Sequence, residues 1–273
     1  MTNQRRVFVD VLIVTENLSF YFFSQRGGVG PGDGVDFLNE DVIMATCRQD
    51  GRLLVPDVPA KAAPIQMLKM AFSDSLRNPR VPHALGIGEI WSTQTTLNER
   101  YVYPLLFCSE VGDFEAVSWK SLALTDPKLN NSEEYLLYSH SKADSGFVVT
   151  SLLKRSRDLI HIPKLDVDQF MTFFMAPLWT MESSSSFQKQ QKIRKVALLG
   201  EQEKYVPISR ERILRVEWSS EMVSLQVIGA PGEVVSMSLA IFRSDDDNVD
   251  HHWDIKQSSC QIQDSRCQIY FNT

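Results

Sequence analysis

The chain has 273 residues, of which 43% are hydrophobic, 10% aromatic and 23% charged, as is ordinary for a globular protein. A chain of this length buries about 70–75% of its unfolded surface if it folds compactly, as one large domain or two small ones. The net charge of −6 argues against nucleic-acid and anionic-membrane partners, which favour clustered Lys and Arg, and no apolar run approaches the ~20 residues of a membrane helix.

The N-terminal segment, residues 1–26, is predicted to form one or two strands. As a signal peptide it would use Arg5 and Arg6 as the basic region and Val7–Val14 as the apolar region. Asp10 interrupts that apolar region and no small-residue cleavage site follows it, so this interpretation is not adopted. The localisation is therefore left unassigned, with the cytoplasm as the default.

A glycine-rich turn and a short helix come next. Five glycines lie between residues 27 and 34, in a spacing that matches neither the dinucleotide fingerprint nor the phosphate loop. Backbone amides in such a turn can hold an anion, but a structural turn is the favoured interpretation. Asn39 is a good N-cap, with Glu40 and Asp41 in the first helical turn, and Gly51 is placed to end the helix or the turn after it.

Asp33 and Asp36 are the two acids of the glycine-rich turn. A glycosidase needs two carboxyl groups about 5–10 Å apart on either side of the scissile bond, and a three-residue spacing in a loop is weak support for such a pair. For Asp33 a turn or cap role is favoured, a hydrogen bond to a ligand comes second and catalysis third. Asp33 and Asp36 are therefore substrate-binding candidates, and no residue is predicted to be catalytic.

From Glu89 onward the sequence predicts β-strands. Glu89–Thr96 and Arg100–Phe107 are strand-like runs joined by a short connection at Leu97–Asn98–Glu99, which predicts a hairpin. Phe170–Trp179 is apolar on both faces and predicts a central strand that is covered on each side. Later runs alternate with a period of two, as half-buried antiparallel strands do. The predicted inward residues are Leu214, Val216, Trp218, Val223, Leu225, Val227, Val235, Met237, Leu239 and Ile241.

The four cysteines, Cys47, Cys108, Cys260 and Cys267, show no metal-ligand spacing. Cys260 and Cys267 can face each other across a hairpin turning at Gln263–Asp264, where a disulfide would need an oxidising compartment. Two reduced, apolar cysteines are the favoured interpretation.

An acidic stretch, Asp245–Asp250, is followed by His251 and His252 and offers oxygen ligands of the kind calcium prefers. It lacks the glycine and the distal glutamate of an EF-hand loop, so a solvated turn is the favoured interpretation. We predict no metal site and no cofactor.

The five tryptophans are candidates for stacking on a sugar, because an aromatic face can pack on the apolar face of a pyranose ring. Trp91, Trp119, Trp179 and Trp218 lie in strand-like runs, where a core role is favoured. Trp253 lies beside the acidic stretch and is the one predicted to be exposed. It is the third substrate-binding candidate, with Asp33 and Asp36.

Gly28–Ala60 resembles the end of the catalytic barrel in glycoside hydrolases of the raffinose synthase and alkaline α-galactosidase type. In that family a glycine-rich segment with an Asp precedes a short helix and then a DGrlLrP…P stretch, which Asp50–Pro56 (DGRLLVP) and Pro59 fit. The likeness is nearer to an uncharacterised branch than to the plant enzymes. Three later segments follow in the order of that family's C-terminal β-sandwich: Glu89–Trp91, Phe170–Trp179 and Val196–Ser209.

The resemblance covers roughly residues 27–242 and implies a mainly β fold: a short α/β remnant of a barrel edge over residues 1–83, and an antiparallel β-sandwich over residues 84–273. The family's catalytic carboxylates lie in barrel segments that this sequence lacks, and Asp33 matches a loop acid of the family. The resemblance thus implies a fragment, a divergent isoform or a gene-model product, related to enzymes that act on galactosides.

The expected function is a catalytically incomplete, glycoside-hydrolase-like C-terminal module related to carbohydrate metabolism. The alternative is a free-standing carbohydrate-binding β-sandwich, and an active glycosidase working through Asp33 and Asp36 is least favoured. The expected partners are a carbohydrate ligand and a second copy of the chain, because a remnant helix on a sandwich leaves apolar surface uncovered.

Overall fold

The computed structural model describes residues 40–63, 89–109, 115–118, 134–141, 146–154, 158–165, 170–182, 193–243 and 253–273. Over these residues the fold is mainly β with antiparallel sheets, which confirms the predicted fold class. The barrel-edge remnant before residue 40 and the predicted boundary at residue 83 lie outside them. The elements are α1 (Glu40–Thr46), β1 (Lys61–Ala62), β2 (Glu89–Leu97), β3 (Tyr101–Ser109), β4 (Glu115–Ser118), β5 (Glu134–Ser141), β6 (Gly146–Lys154), β7 (Leu159–Ile162), β8 (Phe170–Pro177), β9 (Trp179–Glu182), β10 (Ile193–Gly200), β11 (Ile213–Trp218), β12 (Met222–Ile228), β13 (Val234–Arg243), β14 (Trp253–Gln261) and β15 (Arg266–Asn272).

Six strands form the largest sheet, in the order β1-β2-β3-β8-β5-β6. Strand β8 lies inside this sheet between β3 and β5, and its alternate residues enter two different hydrophobic cores. Phe174 packs in one core, whereas Phe173 and Met175 pack in the other. The predicted central strand, covered on both faces, is therefore confirmed. It ends at Pro177, and Trp179 begins β9 in a different sheet.

The predicted hairpin is confirmed by strands β2 and β3, which pair from Glu89↔Ser109 to Leu97↔Tyr101. The connection lies one residue later than predicted, at residues 98–100, because Leu97 is only 3% exposed and stays in the strand. Asn98 and Glu99 adopt left-handed backbone conformations, with φ of 51° and 56°. The side-chain amide of Asn98 donates to the Val216 carbonyl at 2.6 Å, which attaches the hairpin to β11.

The second half of the chain forms a four-stranded sheet, β14-β13-β10-β9, and a three-stranded sheet, β11-β12-β15. Their inner faces join one face of the six-stranded sheet in a common core. The predicted alternation is confirmed along β12 and β13, where Val223, Leu225 and Met237 are fully buried. It is wrong at Leu214, which is 44% exposed, because the pairing register shifts between Ile213 and Arg215. Such a bulge turns the extra residue outward.

The other face of the six-stranded sheet is covered by the two-stranded sheet β4-β7. Val117 from β4 and Ile160 and Ile162 from β7 are at most 1% exposed, and they belong to the same cluster as Leu106 and Cys108 of β3. Burial on both faces explains why β3 is apolar along most of its length, rather than alternating as a strand with one solvated face does.

Cys260 and Cys267 form a disulfide, with Cα atoms 6.1 Å apart, so the favoured interpretation of two reduced cysteines is wrong. The turn between β14 and β15 lies at Asp264–Ser265, one residue later than predicted, and Gln263 and Arg266 form the last bridge before it. Because β14 and β15 belong to different sheets, the bond ties the four-stranded sheet to the three-stranded one.

Candidate functional site

A cluster of buried charges lies where loops join the strands of the sandwich. Glu201 follows the end of β10, Arg212 precedes β11, and Glu233 precedes β13. Arg212 is 1% exposed, Glu201 8% and Glu233 7%. Charged residues are almost never this deeply buried unless they are paired, so these three, here called the charge cluster, define the candidate site.

Arg212 is the centre of the charge cluster. Its Nε donates to Glu201 Oε2 at 2.8 Å, and its Nη2 donates to Glu233 Oε1 at 2.6 Å. Its Nη1 donates to the carbonyl oxygen of Ile228 at 2.8 Å. All three nitrogens of the guanidinium therefore have an acceptor, which is the condition for burying this cation at an acceptable cost.

Two glycines make room for this arrangement. Gly200 has a φ of +81°, and a Cβ there would collide with the backbone carbonyl oxygen of Pro207. The amide of Glu201 donates to that same oxygen at 3.0 Å, which folds the loop back and directs the chain toward Arg212. At Gly229 a Cβ would collide with the side chains of Glu233 and Arg212. Glycine is needed at both positions because the backbone approaches its neighbours closely.

The charge cluster and the loop beside it also bind the segment that contains α1. Glu233 Oε1 accepts a hydrogen bond from the amide of Gln49 at 3.2 Å. Lys204 Nζ donates to the carbonyl oxygens of Met44 and Cys47, at 2.6 and 2.9 Å. These carbonyls lie at the C-terminal end of α1, where the helix leaves acceptors unsatisfied and a cation is favourable.

The pKa values of the two acids of the cluster are shifted in opposite directions. Burial raises the pKa of Glu201, although Arg212 and Lys204 favour its ionised form. Burial also acts to raise the pKa of Glu233, but hydrogen bonds from Arg212 and Ala230 outweigh it, and the net pKa is lowered. Burial disfavours the charged form of Arg212, yet its bonds to Glu233 and Glu201 raise its pKa overall, so it remains a cation.

The geometry argues for a structural role rather than catalysis. In a glycosidase the two carboxyl groups face a substrate placed between them. Here the group between the two carboxylates is the Arg212 guanidinium, which binds an oxygen of each. The second oxygen of Glu233 accepts the Ala230 amide at 2.8 Å. We conclude that the cluster joins two loops of the sandwich to the α1 segment.

Of the three sequence-predicted site residues, Trp253 alone lies within the described residues. Asp33, Asp36 and the acidic stretch before Trp253 lie outside the described residues. Trp253 begins β14 and is half-buried; its ring centroid lies 5.2 Å from that of Phe242, and it packs on the main core. The prediction that Trp253 is exposed is therefore wrong, because it pairs with Phe242 across the two strands. Its proposed contact with substrate remains a prediction.

The other tryptophans that the structure describes, Trp91, Trp179 and Trp218, pack on the main core, as predicted, while Trp119 lies outside the described residues. The charge cluster was missed by the sequence reasoning. Its only local signal is that Glu201 and Glu233 each come directly after a glycine, Gly200 and Gly232.

No protein-family model, curated protein or solved structure matches this chain. Within the described ranges, no group of three His, Cys, Asp or Glu side chains is arranged to hold a metal ion. The same ranges contain no helix with the length and apolar character that crossing a bilayer requires.

A small cavity lies against the six-stranded sheet, beside the loop that carries Lys204. It measures about 20 Å³, room for about one water, and Tyr103, Tyr138 and Val206 are among its lining residues. The Tyr138 hydroxyl donates to the Leu199 carbonyl at 2.8 Å. The Tyr103 hydroxyl is buried and has no hydrogen-bond partner among the described residues, and burial raises its pKa well above the ordinary range.

These two tyrosines give a matched pair of stability predictions. Tyr138→Phe is expected to lower the free energy of unfolding by about 1 kcal/mol, because it leaves the buried Leu199 carbonyl without its donor. Tyr103→Phe is expected to change it by less than about 0.5 kcal/mol, or to raise it, because the lost hydroxyl has no protein partner. Urea unfolding of both variants measures the difference. A loss of free energy of unfolding in Tyr103→Phe equal to that in Tyr138→Phe would contradict this prediction and indicate that an ordered water binds the Tyr103 hydroxyl.

Proposed function

We propose that this protein is a glycoside-hydrolase-like C-terminal β-sandwich module, catalytically incomplete, whose role is to hold the segment of residues 40–63 in place. The observation that carries the proposal is the charge cluster: Arg212 binds both Glu201 and Glu233, and Glu233 binds the backbone of the α1 segment. Among the described residues, the buried carboxylates of Glu201 and Glu233 thus help to attach the α1 segment to the sandwich.

The resemblance to the barrel end supports the same role. In Asp50–Pro56, which fits the family pattern, Asp50 pairs with Arg48 and Gly51 turns the chain with a φ of +78°. Leu54 is 1% exposed in the main core, and the Val55 carbonyl accepts the Ser209 hydroxyl at 2.9 Å. Leu54 and Val55 thus attach this stretch to the sandwich, whereas Asp50 and Gly51 shape the turn before them.

The alternative function, carbohydrate binding, does not gain support at Trp253. Its ring is half-buried and lies against Phe242, which reduces the face it can offer to a pyranose.

An activity assay tests the proposed absence of hydrolysis. The full chain, incubated with an aryl α-galactoside, is expected to release no more aglycone than buffer alone. The matched variants are Asp33→Asn and Asp36→Asn, with Asp264→Asn as a control in an exposed turn. Release that disappears in Asp33→Asn or Asp36→Asn but persists in Asp264→Asn would overturn the proposal and show an active glycosidase.

A further inference from the structure

Two turns of the sandwich lie against each other beside the charge cluster. Residues 229–233, here called the Glu233 turn, connect β12 to β13, and residues 260–267, here called the cystine turn, include the connection from β14 to β15. Because β12 pairs with β15 and β13 pairs with β14, both turns lie at the same end of these strands. The two turns are therefore neighbours in space, although no local sequence pattern relates them.

Three backbone hydrogen bonds join the two turns. The amide of Gly232 donates to the Ile262 carbonyl at 3.0 Å, and the amide of Ile262 donates to the Glu233 carbonyl at 2.8 Å. The third bond runs from the Gly229 amide to the Ser265 carbonyl, at 3.3 Å. Ile262 is only 2% exposed and packs in the main core. The backbone of the Glu233 turn is thus held by the cystine turn.

The disulfide closes the cystine turn where two sheets meet. Cys260 pairs with Val235 of β13, two residues after the Glu233 turn. Cys267 pairs with Val227 of β12, two residues before that turn. Strands β12 and β13 belong to different sheets. The disulfide therefore adds a covalent link between the two ends of the Glu233 turn, and it limits how far those ends can separate.

The Glu233 turn carries the acid that joins the charge cluster to the α1 segment. Glu233 Oε1 accepts hydrogen bonds from Arg212 at 2.6 Å and from the Gln49 amide at 3.2 Å. Its Oε2 accepts the Ala230 amide, inside the same turn, at 2.8 Å. Hydrogen bonds weaken steeply when their distance or angle changes. A displacement of the Glu233 turn would therefore weaken the bond between Glu233 and Gln49.

Of the four cysteines, the bonded pair is the one that a reductant can reach. Cys260 and Cys267 are partly exposed. Cys47 and Cys108 are free thiols that are 4% and 0% exposed, and burial raises the pKa of Cys108 far above its ordinary value. Buried thiols of this kind are unreactive. A change in redox conditions therefore acts on the cystine turn.

We propose that the Cys260–Cys267 disulfide is a redox-sensitive switch for the attachment of the α1 segment; this inference rests on the proposed function, in which the sandwich holds that segment. A thiolate of a dithiol reductant attacks one sulfur, the bond between the two Sγ atoms breaks, and the other cysteine leaves as a thiolate that takes up a proton. The second thiol of the reductant then displaces the first cysteine. The reductant becomes a disulfide, and the protein gains two electrons and two protons as two thiols.

Reduction loosens the path from the cystine turn to α1. Without the disulfide, the ends of the Glu233 turn can separate, and the Glu233 carboxylate loses its fixed position at Gln49. Oxidising conditions therefore favour the attached α1 segment, and reducing conditions favour its release from the charge cluster.

Hydrogen exchange of the full chain with and without dithiothreitol, measured by mass spectrometry, tests this inference. Residues 44–54 are expected to be protected in the oxidised chain. After reduction, exchange in residues 44–54 and in the Glu233 turn is expected to be about tenfold faster, whereas exchange in β3 is unchanged. Alkylation of the new thiols, read as a mass increase, shows that the disulfide is reduced.

The double variant Cys260→Ser, Cys267→Ser is the matched control. Its residues 44–54 are expected to exchange as fast as those of reduced wild type, with no further response to dithiothreitol. Protection of β3 shows that this variant is folded, and reduction of wild type makes the same test without a substitution.

Three results would overturn the inference. Residues 44–54 that are protected in the oxidised chain and equally protected after reduction would do so while leaving the proposed attachment intact. Acceleration in β3 equal to that in residues 44–54 would show a general loss of stability instead of a local switch. Exchange of residues 44–54 in the oxidised chain as fast as in an unfolded peptide would overturn the proposed function and the switch together.

Discussion

Arg212→Met is expected to lower the free energy of unfolding by about 3–5 kcal/mol, because it leaves Glu201 and Glu233 buried without their cation. The loss exceeds that of the Arg212 hydrogen bonds alone, since a buried carboxylate that has lost its cation keeps most of its desolvation cost. Urea unfolding followed by tryptophan fluorescence measures the change.

Arg215→Met is the matched control for this prediction. Arg215 also pairs with a glutamate, Glu217, but the two side chains are 68% and 56% exposed. Exposed pairs contribute at most about 1 kcal/mol, so the control is expected to remain close to wild type. Equal losses in Arg212→Met and Arg215→Met would contradict the structural role of the charge cluster.

Gly200→Ala is expected to cost about 2–5 kcal/mol, from two causes that add. The backbone has a φ of +81°, which costs a residue with a Cβ about 1–2 kcal/mol. The new Cβ would also collide with the Pro207 carbonyl oxygen and lie 2.6 Å from Ile208 Cδ1. Because the first neighbour is backbone, the loop has to shift, and a clash of this kind typically costs about 1–3 kcal/mol.

Gly232→Ala separates these two causes. Its φ of +88° is nearly that of Gly200, but a Cβ at this position would have no atom within 4 Å. Only the conformational cost of about 1–2 kcal/mol is therefore expected. Chemical denaturation measures the free energy of unfolding of both variants. Equal losses in Gly200→Ala and Gly232→Ala would contradict the close packing described for the loop after β10.

Much of the fold could be predicted because the order of apolar and polar residues along a strand depends on which of its faces are buried. Alternation placed Val223, Leu225 and Met237 in the core, and an unbroken apolar run identified β8 as a central strand. The errors lie where strand pairing departs from a regular alternation of inward and outward residues or from a turn placed midway between two residues. Leu214 faces outward because of a bulge, and the turn between the bonded cysteines lies one residue later than their spacing suggests.

The charge cluster could not be predicted for a different reason. Glu201 and Glu233 lie 11 and 21 residues from Arg212, and Gln49 lies 184 residues from Glu233, so no local pattern relates them. A sequence shows which residues are charged, but it does not show which of them the topology brings together. Trp253 is a similar case, because its partial burial depends on Phe242 in the neighbouring strand.

Hydrogen exchange of the backbone amides in residues 44–54, measured by mass spectrometry, tests most directly whether the sandwich holds the α1 segment. Lys204→Met removes the donor to Met44 and Cys47, whereas Lys256→Met, the control, removes an exposed bond to the Asn272 carbonyl elsewhere. We predict that Lys204→Met speeds exchange in residues 44–54 about tenfold, that Lys256→Met does not, and that β12 is unchanged in both. Unchanged exchange of residues 44–54 in Lys204→Met, or exchange in wild type as fast as in an unfolded peptide, would contradict the account.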